Sequence, residues 1–181
     1  MPNFNDAFSI ADEVIAARGK GLALLTRACG GPGRNQTLLD PFGGYGLDAM
    51  TLALAGYEVT VVERELVVWL LLQDAIERQG LSLQTEYGDG VAYLTDNAKQ
   101  WDVIYLDPMF PLRQKRALPN RGLQHLQALT SSLHVDIELC LTLAREKARR
   151  RVVLKRRAKD PVIGRPTHQI KGQAVRFDVY L

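Results

Sequence analysis

Four short apolar runs along the chain end on an acid or just before one: Leu38-Leu39 on Asp40, Val59 to Val62 on Glu63, 83–87 before Asp89, and Val103-Ile104-Tyr105-Leu106 on Asp107. Their length, β-branching and turn-forming flanks predict strands over 37–40, 58–63, 83–87 and 101–107, buried in a sheet. Between them the apolar spacing lengthens to that of helices. One is expected over 47–55, stopped by Gly56 where a left-handed cap is needed, and another over 67–79, ended by Gly80. A short third covers 90–97. Further on, 122–133 and 136–148 read as helices, 151–155 as a fifth strand, and 167–171 with 175–181 as a terminal hairpin. Strands alternating with helices predict an α/β fold, a parallel doubly wound sheet that finishes in an antiparallel edge. Residues 1–36 read as a helical segment, with helices near 12–18 and 21–28, packed on a domain spanning 37–181.

In such a sheet, ligands bind outside the carboxyl ends of the strands, near the point where strand order reverses. All four acids belong to that edge. The turn Phe42-Gly43-Gly44-Tyr45-Gly46 lets the chain approach a ligand closely, since a side chain there would obstruct it. Glu63 is suited to a bidentate hydrogen bond with the two hydroxyls of a ribose, and Asp89, followed by Gly90, to an adenine amine. Taken separately these are a tight turn, a solvated strand end and a helix N-cap. Together they describe an adenosine pocket. Gly44-Tyr45-Gly46-Leu47-Asp48-Ala49 also matches the dinucleotide pattern G-x-G-x-x-A, with Glu63 nineteen residues beyond Gly44. Two features favour S-adenosylmethionine over a nicotinamide dinucleotide. Asp40 precedes the glycines, where it can meet the methionine ammonium but would repel a pyrophosphate. The tetrapeptide Asp107-Pro108-Met109-Phe110 has no evident use in hydride transfer.

That tetrapeptide suits a different task. The Asp107 carboxylate can accept a hydrogen bond from an exocyclic base amine, Pro108 stiffens the turn, and Phe110 can stack on a planar base. Such amines are poor nucleophiles, so orientation and transition-state hydrogen bonding matter more than a strong base.

Charge changes the picture in its distribution rather than its sum of +3. Residues 1–112 carry seven Lys and Arg against fifteen Asp and Glu, a net of −8; residues 113–181 carry sixteen against five, a net of +11. The second half therefore has the character of a polyanion-binding surface, and Arg113, Lys115 and Arg116 follow the tetrapeptide directly. The length suits one sizeable domain. No apolar run approaches the roughly 20 residues of a spanning helix. Two unpaired-looking cysteines, Cys29 and Cys140, and the lack of a secretory signal at the N-terminus point to a reducing, cytoplasmic setting. His125, His134 and His168 are scattered, and no metal site is expected.

The stretch Leu38-Leu39-Asp40-Pro41-Phe42-Gly43-Gly44-Tyr45-Gly46-Leu47-Asp48-Ala49 with Val62-Glu63-Arg64 resembles the bacterial RsmJ family of small-subunit rRNA guanine-N2 methyltransferases. So do Val103-Ile104-Tyr105-Leu106-Asp107-Pro108-Met109-Phe110-Pro111, Val152-Val153-Leu154-Lys155-Arg156 and the terminal Arg176-Phe177-Asp178-Val179-Tyr180. The resemblance covers 37–181. It implies a class I, Rossmann-like methyltransferase fold with a seven-stranded sheet, S-adenosylmethionine as donor, and N2-methylation of a guanosine in small-subunit rRNA. On these positions it implies cofactor contacts from Asp48, Glu63, Arg64 and Asp107. Leu47 stands where the family usually has Arg, Asp89-Gly90 replaces a small hydroxyl pair, and the family's long N-terminal portion has no counterpart here. The resulting expectation assigns cofactor binding to Asp40, Gly44, Gly46, Leu47, Asp48, Glu63, Arg64, Asp89, Gly90 and Asp107. It gives the chemistry to Asp107, Pro108 and Phe110, and RNA phosphates to Arg113, Lys115, Arg116, Lys155 and Arg156. An amine methyltransferase on DNA or another RNA, a nicotinamide-linked oxidoreductase and a nonenzymatic RNA-binding module are the alternatives.

Overall fold

The computed structural model describes residues 19–108 and 135–181. In chain order these form α1 (Gly19–Cys29), β1 (Thr37–Asp40), α2 (Leu47–Leu54), β2 (Glu58–Glu63), α3 (Leu66–Arg78), β3 (Gln84–Tyr87), α4 (Gly90–Asp96), β4 (Trp101–Leu106), α5 (Ile137–Lys147), β5 (Ala148–Arg157), β6 (His168–Lys171) and β7 (Val175–Tyr180). The helices expected near 12–18 and over 122–133 lie outside the described residues. Elsewhere the expected bounds hold to within one or two residues, with one exception. The fifth strand, expected over 151–155, has ten residues and begins where α5 ends. Ala148 pairs with Trp101 and Arg151 with Val103, so a register shift absorbs one extra residue and carries the basic run into the ladder.

One seven-stranded sheet runs in the order β3-β2-β1-β4-β5-β7-β6. The first five strands of that order are parallel neighbours. β7 lies antiparallel between β5 and β6. Strand order reverses between β1 and β4, which pair Leu38 with Val103 and Leu39 with Ile104. The carboxyl ends of β1, β2, β3, β4 and β5 therefore share one edge, with the reversal at its centre.

Successive residues of each strand face opposite sides, and the core follows that parity. Leu38, Val61, Val103, Tyr105, Val153 and Phe177 pack with α1, α2 and α3 through Leu25, Met50, Leu52, Leu72 and Ile76. Leu39, Val62, Ile104, Leu106, Val152 and Leu154 pack on the other side with Leu94 of α4 and Leu141 and Ala144 of α5. Helices on both faces explain why the strands read as nearly continuous apolar runs.

A buried ion pair anchors the sheet's antiparallel end. Arg176 and Asp178, two apart on β7 and so on one face, are bidentate at 2.8 and 2.9 Å. Gln169 of β6 donates to the same carboxylate at 2.7 Å. Arg176 also donates to the carbonyls of Ala158, Asp160 and Pro161, tying down the connection that follows β5. Each charge thus has several partners, as a buried pair requires.

Candidate active site

The turn between β1 and α2 is built by glycine. Gly44 and Gly46 have φ of 52° and 72°, in the left-handed region that L side chains avoid. A Cβ on Gly46 would collide with Leu72 of α3, and one on Gly90 with the Pro41 carbonyl. The turn is therefore pressed against α3, and the start of α4 against Pro41. Glu63, at the end of β2 and 7% exposed, holds the turn in place. Its two oxygens accept the N–H groups of Gly44 and Glu65, each at 2.7 Å. The acid expected to meet a ribose thus first fixes the backbone around it. Each carboxylate oxygen still has a second lone-pair direction for a hydroxyl.

Asp40 ends β1 with 2% exposure and accepts the Phe42 N–H at 3.0 Å. Burial pushes its carboxyl up to about 8 against that hydrogen bond, and the like charges of Asp107 and Asp48 add to the rise. At neutral pH it is mostly protonated, so it is not the standing anion the sequence suggested; a cation placed beside it would draw the proton off.

Across the strand-order reversal, Asp48 in the first turn of α2 and Asp107 just beyond β4 meet one lysine. Lys155 Nζ lies 2.5 Å from Asp48 Oδ2 and 2.6 Å from Asp107 Oδ2. The Tyr105 hydroxyl donates to the same Asp48 oxygen at 2.6 Å. Burial alone would lower the Lys155 ammonium, but Asp107 and Asp48 together raise it above the ordinary lysine value. Burial, Asp48 and Asp107 likewise keep the Tyr105 phenol protonated. Register explains the meeting: Leu106 pairs with Leu154, so Asp107 and Lys155 are level, and parity puts Tyr105, Asp107, Val153 and Lys155 on one side.

Lys155 and Arg156, expected from the sequence to hold phosphates, have partners within the protein. Lys155 is engaged with two carboxylates. Arg156 points to the opposite face, is 7% exposed, and reaches Asp160 at 3.8 Å and the Pro161 carbonyl at 3.5 Å. The run Arg149-Arg150-Arg151 sits at the other end of β5, away from the acids, where Arg150 faces Asp102 at 3.5 Å. Of the remaining sequence candidates, Asp89 is the N-cap of α4, with Oδ1 accepting from Val91 and Ala92 and Oδ2 4.0 Å from Arg64. The apolar side chain of Leu47 packs against the core, and its carbonyl accepts the Thr51 hydroxyl at 2.8 Å. Pro108 is buried. Phe110, Arg113, Lys115 and Arg116 lie outside the described residues.

Tyr105 and Lys155 as partners of Asp48 were missed from the sequence; strand parity counted back from Asp107 would have found Tyr105. Among the described residues no group of three or more His, Cys, Asp or Glu could hold a metal ion, and no helix is long and apolar enough to cross a membrane.

Comparison with known proteins matches residues 10–181 to the family described as "Putative SAM-dependent methyltransferase". The chain is 41% identical over 154 residues to ribosomal RNA small subunit methyltransferase J of Coxiella burnetii (strain RSA 331 / Henzerling II), covering 80% of this chain and 60% of that protein. It is 35% identical to the protein of the same name from Psychromonas ingrahamii, covering 96% of this chain and 72% of the relative. Among solved structures, the SAM-dependent methyltransferase NGO1261 from Neisseria gonorrhoeae superposes with a TM-score of 0.71 at 27% identity, over 94% of this chain and 71% of that one. The chain thus spans about three-fifths of the length of the Coxiella relative.

Proposed function

The chain belongs to the RsmJ family of S-adenosylmethionine-dependent methyltransferases, and from that premise we propose that it methylates the exocyclic N2 amine of a guanosine in small-subunit rRNA, in the cytoplasm. The observation that carries this reading is the convergence of Asp40, Asp48 and Asp107 beside the glycine turn, at the reversal of strand order.

The residues fit the cofactor. Glu63 offers its remaining acceptor positions to a ribose, the Gly44 and Gly46 backbone allows close approach, and Asp40 is a buried carboxyl that a cationic amino group would ionise. Asp89 and Arg64 would flank the base end. A pyrophosphate in the same place would face Asp48 and Asp107, whose two charges the single Lys155 ammonium offsets only in part, which weighs against the dinucleotide alternative. S-adenosylmethionine, when bound, supplies an electrophilic methyl group. The protein's part is to hold the acceptor. In this reading Asp107 accepts a hydrogen bond from the guanine amine and stabilises the positive charge that develops on its nitrogen. Pro108 fixes the turn, and Phe110 stacks on the base. A base must leave its stack to reach such a pocket, at a cost of a few kcal/mol that is least for an unpaired nucleotide. Arg113, Lys115 and Arg116 would hold neighbouring phosphates. Residues 37–181 would form the catalytic domain, with 1–36 packed on it.

Tritiated methyl transfer into naked rRNA and into small subunits, followed by nucleoside analysis, tests the proposal. N2-methylguanosine is the expected product. Methyl found only on adenine would overturn the base assignment. A thermal shift with NAD and none with S-adenosylhomocysteine would overturn the methyltransferase reading itself.

A further inference from the structure

We propose that Lys155 is a positioning residue of the methyl-transfer site, whose ammonium binds Asp107 and Asp48 at once and so holds the Asp107 carboxylate ionised and aimed at the target amine. The proposal rests on the methyltransferase reading and adds a residue that contacts the base only through Asp107.

The geometry sets the requirement. Asp48 Oδ2 and Asp107 Oδ2 both touch one nitrogen, so they lie no farther apart than the sum of 2.5 and 2.6 Å. Two carboxylates so close in a half-closed site cannot both stay ionised without a cation between them. Asp40 faces them from β1, and the Tyr105 hydroxyl from β4. Beneath them, the Cys29 thiol of α1 is kept protonated by burial and by Asp48. None of these neighbours supplies positive charge; Lys155 does. Its side chain is 19% exposed, which fits a residue working inside the site better than one reaching for solvent-exposed phosphate. Its neighbours in the basic run take other roles, since Arg156 is turned to the opposite face. The lysine also tethers the end of β4 to α2, so a single side chain fixes Asp107 relative to the helix that opens the glycine turn.

The test is the pH dependence of kcat for wild type, Lys155→Met and Lys155→Arg with small-subunit rRNA as substrate, each variant checked by thermal melting. In Lys155→Met the facing carboxylates share a proton, so the acid limb of the profile should move up by about 1–3 pH units, with kcat reduced and KM for RNA within twofold. Lys155→Arg keeps the charge, so its acid limb should stay near that of wild type while kcat falls because the fork cannot reproduce both contacts. An unmoved acid limb in Lys155→Met, or a raised KM for RNA with a weakened salt dependence in either variant, would make Lys155 a phosphate ligand and overturn the proposal. Should Lys155→Met fail to fold, the Lys155→Arg split between kcat and KM decides alone. Failure of wild type to transfer methyl at any pH would instead overturn the reading on which this rests.

Discussion

Asp40→Asn should make this protein more stable and less able to bind its cofactor. The carboxyl is 2% exposed and titrates near 8 in the folded state, against 3.8 for an ordinary exposed carboxyl. A raised carboxyl value means that the folded state holds the proton more tightly. The associated stability is complete below pH 3.8 and is lost as pH rises toward 8. By pH 7 about three pH units of that window have been crossed, a loss approaching ~4 kcal/mol at ~1.4 kcal/mol per unit. Asparagine cannot ionise, and its carbonyl can still accept the Phe42 N–H. Allowing for partial relaxation around Asp40, the variant should gain about 2–4 kcal/mol at pH 7, or roughly 5–10 °C in melting temperature for a chain of this size. Melting followed by circular dichroism from pH 4 to 8.5 would test this. The two proteins should converge at pH 4 and separate steadily above it. The same variant should lose most of the stabilisation given by S-adenosylhomocysteine, because an amide offers no charge to an ammonium. Parallel curves across the pH range, or a less stable variant at pH 8, would refute the reasoning.

Other substitutions probe other parts of the site. Glu63→Ala removes the acceptor of two backbone N–H groups and should cost on the order of 1.5–3 kcal/mol per charge-assisted bond; urea unfolding and the loss of the S-adenosylhomocysteine shift check it, and an unchanged shift would clear Glu63 of a cofactor role. Gly90→Ala forces a methyl group onto the Pro41 carbonyl, so roughly 1–3 kcal/mol of overpacking should appear in urea melts, with weaker cofactor binding as Asp40-Pro41 is displaced. Arg176→Met strands the fully buried Asp178 charge and should cost about 3–5 kcal/mol, while the double variant Arg176→Met, Asp178→Leu should recover much of that. A single-variant cost under about 1 kcal/mol would mean that water reaches the pair.

Most of the fold was legible because each strand is punctuated. Thr37–Asp40 and Glu58–Glu63 stand between glycine or polar turns, and their bounds match residue for residue. Ala148 to Arg150 do not look like a strand, since three exposed or half-exposed positions offer no apolar pattern; pairing with Trp101 makes them one. The acids at the strand ends were legible for the same reason that the strands were. Lys155 was not, because it lies in a run of cations that invites reading as a block, whereas a strand sends neighbours to opposite sides. Arg156 and Arg176 exposed the same weakness, as a count of basic residues cannot distinguish a solvated charge from one bound in the interior. Nor does the sequence say that Glu63 is committed to the backbone of a turn nineteen positions earlier.

The place of β7 bears on how the protein is made. Val175–Tyr180 comes last of the seven strands yet sits inside the sheet, between β5 and β6. During synthesis, five parallel strands can assemble while the long flank of β5 waits with its hydrogen-bonding groups open. For that interval it is an unprotected edge of the kind that recruits other chains. A polypeptide released before Val175 would keep that edge permanently and leave His168–Lys171 without a neighbour. Quality control in the cell therefore has a simple signature to act on: until Val175–Tyr180 slots in between its two neighbours, the open flank of β5 remains adhesive.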